Sequence, residues 1–97
     1  MDAAKSLIGK IPVTISIDTE PDNVWADHLS RGVRNVAALH RLQALLDRYG
    51  ANATLLLTYG IASDRGAVRI LKELQDRSGA EIGTHLHPWD NPPYMAN

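Results

Sequence analysis

The sequence predicts an α/β fold with parallel strands in the order β-α-β-α-β. Three observations carry this. Short runs rich in β-branched residues or leucine alternate with longer segments of helical periodicity. The consecutive leucines of "NATLLLT" read as a strand buried on both faces, as in a parallel sheet covered by helices. Gly50 and Gly79 stand where the two helical patterns stop.

The first strand is expected over 12–18, "PVTISID". Val13, Ile15 and Ile17 alternate with Thr14 and Ser16, which is period two. "TEPDNVWADHLS" (19–30) is a loop, because Pro21, Asp22 and Asn23 are turn formers. Ser30 is a candidate cap for the helix that follows. That helix is expected over 31–49, with Val36, Leu39, Leu42, Leu46 and Tyr49 as one apolar stripe. The second strand is 52–58. "YGIASDRG" reads as a loop, with Ser63 or Asp64 capping a helix over 65–77 that turns Val68, Leu71 and Leu74 inward. The third strand is "AEIGTHLH" (80–87), and the proline-rich "PWDNPPYMAN" ends regular structure. Short connections imply right-handed crossovers.

The bulk composition narrows the function classes. The chain has 97 residues, 44% hydrophobic and 22% charged, which fits one small folded domain. Its net charge of -1 offers no basic face for nucleic acid. The absence of cysteine excludes disulfides and thiolate metal sites. The start, "MDAAKSLIGK", does not read as a leader, and no stretch is apolar enough to span a membrane. A cytoplasmic location is the default expectation. Three strands make a thin sheet, so the 97 residues are expected to be a single incomplete domain. The exposed sheet edge then offers a route to self-association.

In parallel α/β folds, sites form at the C-terminal ends of the strands. Asp18, Glu20 and Asp22 crowd the end of the first strand, Thr58 and Tyr59 the second, and His85 and His87 the third. Residues i and i+2 of a strand share a face, so His85 and His87 can chelate one divalent cation. A carboxylate from the first strand completes a facial triad. A second, unligated carboxylate can take a proton from water. The ordinary alternatives are a solvated acidic turn and two histidines bonded to backbone. His28 lies in the first loop, and His40 reads as a surface or boundary residue. Trp89 either stacks on a sugar-sized ligand or plugs the end of the fold. For Trp25 the plug is favoured.

"SIDTEPD", "EIGTHLHPW" and the intervening "LLDRYGANATLLLT" together resemble the polysaccharide deacetylases, the nodulation-protein-B homology family. The resemblance spans nearly the whole chain but only the N-terminal portion of that family's domain. It implies a partial (β/α) barrel of the seven- or eight-stranded deacetylase type. It also implies metal-dependent hydrolysis of amide C–N bonds in a carbohydrate or small-molecule substrate. Asp18 matches the catalytic base, Glu20 the carboxylate ligand and His85 the first metal histidine, while Asp22 competes with Glu20. The family's second histidine follows the first by four positions. Here that position is Trp89, and His87 is the histidine available. Tyr59 and Trp89 are the expected substrate-binding residues. The expected cofactor is a divalent metal, zinc first, with Co, Mn, Fe or Ni compatible with the same ligands. The family's later motifs do not occur, so a complete catalytic cycle is not expected of these residues alone. The rival expectation is a non-catalytic truncated α/β module that binds a metal or a protein partner.

Overall fold

Three short strands, β1 (Ser16–Thr19), β2 (Thr54–Leu57) and β3 (Glu81–Thr84), form a parallel sheet in the order β1-β2-β3. They are connected by helices α1 (Arg34–Ala37) and α2 (Leu39–Arg48), then α3 (Tyr59–Ala62) and α4 (Arg65–Ser78). This is a computed structural model, and it describes residues 9–27 and 30–94. The first eight residues, which the leader reading used, and His28 lie outside the described residues.

The core shows which face of the sheet the helices cover. Ile15 and Ile17, Ala53, Leu55 and Leu57, and Ala80 and Ile82 pack with Val36, Ile61, Ala67, Leu71 and Leu74. Those strand residues share one face by period two. The register sets Ile17 beside Leu55 and Ile82, and Asp18 beside Leu56 and Gly83. The opposite face therefore carries Ser16, Asp18, Thr54, Leu56, Glu81 and Gly83, and is largely polar. This corrects the expectation of a sheet covered on both faces. Among the described residues the sheet is an open three-stranded one, a partial β/α arrangement without barrel closure.

The first strand begins later than expected. Pairing starts where Thr54 N–H donates to the Ile15 carbonyl at 2.8 Å. β2 begins at Thr54, opposite Ser16, so among the described residues 12–14 have no strand beside them. Val13 is accordingly 77% exposed. The third strand stops at Thr84 because β2 ends at Leu57, whose carbonyl accepts from His85 N–H at 2.8 Å. His85 and His87 thus sit just beyond the strand, not on it.

The helix expected over 31–49 is two helices. α1 is a single α-helical turn that ends at Ala37, and Ala38 N–H donates to the Asn35 carbonyl at 3.1 Å where the chain passes into α2. Val36 is buried, but Tyr49 lies past the helix end and is exposed. On α4 the inward residues are Ala67, Leu71 and Leu74, while Val68 faces solvent, one residue off the expected stripe. Asp64 caps α4, accepting from Ala67 N–H at 2.8 Å. Gly79 closes it in the left-handed conformation at φ 71°, which a side chain would resist.

The segment expected as loop after β2 contains α3. Its Ile61 is fully buried. Four residues are too few to show helical periodicity, and the preceding Thr58 makes no side-chain cap bond. No helix among the described residues is long and apolar enough to cross a membrane.

Candidate metal centre

The three strand ends are level. Thr19, Leu57 and Thr84 are register partners across the sheet. The chain therefore delivers Glu20, Thr58 and His85 side by side at one rim. Thr58 N–H donates to the Thr19 carbonyl at 3.1 Å, which fixes the exit of β2 to that of β1.

Glu20, His85 and His87 converge there. Their ligand atoms all lie within 4.8 Å of one another, a group able to hold a metal ion. Glu20 Oε1 is hydrogen-bonded to His87 Nε2 and lies 3.6 Å from His85 Nε2. The two imidazoles are 4.5 Å apart, edge to face. The carboxylate side chain is only 10% exposed. A nearly buried carboxylate is costly without polar partners, and here imidazoles surround it. Imidazole nitrogen and carboxylate oxygen suit a divalent transition metal by chemistry.

Asp18 stands outside that group of three but beside it. Its Oδ2 is 3.7 Å from His85 Nε2, and its side chain is more than half exposed. It lies on the face opposite the one that packs with the described helices, in register with Gly83 across the sheet.

Asp22, the competitor for the ligand role, is engaged elsewhere. Its carboxylate accepts from the backbone N–H of Arg34 and of Asn35, both at 2.8 Å. It thereby satisfies the open donors at the start of α1 from a distance in sequence. Its own N–H donates to the Gly32 carbonyl at 2.7 Å. A Cβ at Gly32 would meet Asp22 Oδ2 at 2.7 Å, so a side chain there would displace the carboxylate from this position. Ser30 does not cap the helix: its hydroxyl donates to the Asp22 carbonyl. Asn35 donates through its side chain to the Glu20 carbonyl at 2.7 Å, binding the loop to the helix a second time. Asp22→Ala is expected to cost about 1–2 kcal/mol of stability, since it removes a helix cap. Urea unfolding measures this, and unchanged stability would deny Asp22 the capping role.

Two aromatic residues frame the centre. Trp25 is not a buried plug; it is 67% exposed. Its Nε1 donates to Glu20 Oε2 at 3.0 Å, and its ring meets His87 edge-on at 5.7 Å. Trp89 stacks on His87, with centroids 4.4 Å apart and planes 16° apart. Composition gave no hint of the Trp25 contact. The turn residues around Asn23 were the available signal. Asn23 adopts φ 56°, and Ala26 and Asp27 N–H both return to its carbonyl. The chain therefore reverses within the loop.

A groove of about 390 Å³ has Tyr59 and Trp89 in its wall; none of Glu20, His85, His87 and Asp18 lines it, and Trp89 links it to the centre by stacking on His87. Pro21, Arg31, Asp64 and Asp90 also line it. His40 is remote from all this. It sits on α2, with Nε2 3.9 Å from Glu73 of α4.

No family model, curated protein or solved structure matches the chain.

Proposed function

We propose that the chain carries the metal-binding part of a hydrolase that cleaves amide C–N bonds, of the polysaccharide deacetylase type. The observation that carries this reading is the convergence of Glu20, His85 and His87 at one rim of a parallel sheet. In this reading those three side chains hold a divalent cation, zinc in the first place. Such an ion supplies acidified water and polarises a carbonyl.

Asp18 is the general base in this reading, taking the proton of the water that attacks the amide carbon. Its support is threefold: it is exposed, it is no member of the ligand group, and it reaches 3.7 Å from His85. Tyr59 and Trp89 bind the substrate. The supporting feature is their shared groove, whose size lies within the usual range for small-molecule sites. An N-acylated sugar suits aromatic walls interspersed with Arg31, Asp64 and Asp90, which can bond its hydroxyls. The three strands are then consecutive members of a (β/α) barrel. The sequential order β1-β2-β3 with its helices on one face is the arrangement that consecutive barrel strands have, and one half of a doubly wound sheet shares it.

The test is acetate release from a short N-acetylated oligosaccharide by a zinc-loaded protein in which this chain is joined to the rest of such a barrel. Asp18→Asn is expected to retain the metal and to lose about 100-fold or more in turnover, the usual share of a general base. An Asp18→Asn variant as active as the native chain would remove Asp18 from the reaction.

A further inference from the structure

We infer that Trp25 is a positioning residue of the metal centre, holding Glu20 so that one carboxylate oxygen alone, Oε1, meets the two imidazoles. The inference rests on the metal reading above and assigns the means by which the carboxylate ligand is aimed.

A carboxylate has two equivalent oxygens and rotates freely unless something distinguishes them. Here Oε2 accepts from Trp25 Nε1 at 3.0 Å, while Oε1 faces His87 and His85. An indole nitrogen donates and cannot accept. Trp25 therefore satisfies one oxygen without competing for a cation at the other. Outer partners of this kind orient metal ligands, and their loss typically costs 10–100-fold in affinity.

The exposure of Trp25 points the same way. A ring two-thirds in water gains little from burial, so packing is a poor reason for its place. Its polar contact is to the least exposed carboxylate of the site. The Asn23 turn returns the chain so that an indole five residues after Glu20 reaches it. The edge contacts of Trp25 with His87 and Trp89, at 5.7 and 6.2 Å, set the ring's angle.

The test is titration of the full chain with Co(II), followed by visible absorption. Trp25→Phe keeps an aromatic ring and removes the N–H. It is expected to bind Co(II) roughly tenfold more weakly. Its visible bands should also weaken and shift, because the released Oε2 can join the coordination and raise the ligand number. Trp25→Gln removes the ring and keeps a donor. It is expected to retain more affinity than Trp25→Phe. A packing role would give the reverse order, and that order would overturn the inference. So would a Phe variant with native affinity and spectrum. A native chain that takes up no Co(II) would remove the metal reading itself, and this inference with it.

Discussion

Glu20→Gln is expected to weaken divalent-cation binding by more than about 100-fold, since loss of a ligand should exceed the loss of an outer partner. That corresponds to more than about 2.7 kcal/mol. The amide keeps one oxygen but loses the charge that two neutral imidazoles leave to the carboxylate. His87→Ala should behave alike, because His87 Nε2 is bonded to Glu20. Asp22→Ala should not, since its carboxylate is bound to the N–H groups of Arg34 and Asn35. His40→Ala should not either, being paired toward Glu73. Thermal unfolding with and without zinc separates these cases. At a free zinc concentration 100 times the dissociation constant, the native chain gains about 2.7 kcal/mol by mass action. Glu20→Gln and His87→Ala should gain little under the same conditions. Full zinc stabilisation of Glu20→Gln, or its loss in Asp22→Ala, would reverse the assignment of the carboxylate ligand.

Ile61→Ala is expected to destabilise the chain by roughly 2–5 kcal/mol. Ile61 is fully buried and joins α3 to Val36, Leu55 and Leu71 in one cluster. Truncation leaves a cavity that the short α3 cannot close by itself, because Thr58 in front of it is tied to β1. Domains of this size are typically stable by about 5–15 kcal/mol, so the loss is a large fraction of the whole. Urea unfolding should show a lower midpoint with an unchanged slope. The groove should loosen as well, since Tyr59 in its wall belongs to the same helical turn. A loss below about 1 kcal/mol would mean that α3 is not anchored through Ile61.

What was readable in the sequence was what depends on neighbours along the chain. Period two marked Ile15 and Ile17, and the glycine after Ser78 marked the end of α4. The pairing of an acid-rich strand end with a histidine-rich one was readable because parallel strands end at one rim. What depends on distant partners was not. Asp22 looked like Glu20 as an acid in a loop, and only the folded loop sends it to the N-terminus of α1. Trp25 looked like a plug because hydrophobicity suggests burial, whereas its N–H found a carboxylate. Residues 12–14 have strand character but, among the described residues, no strand opposite them, which no local pattern reveals. The break between α1 and α2 has the same origin, since the apolar spacing runs on through Ala38.

The most direct measurement is X-ray absorption on the zinc-loaded chain, compared with its His85→Ala and His87→Ala variants. The expected result is a nitrogen and oxygen shell at about 2.0–2.1 Å, with outer scattering from two imidazoles in the native chain and from one in each variant. A first shell without imidazole, or one unchanged by either substitution, would contradict a cation held by Glu20, His85 and His87.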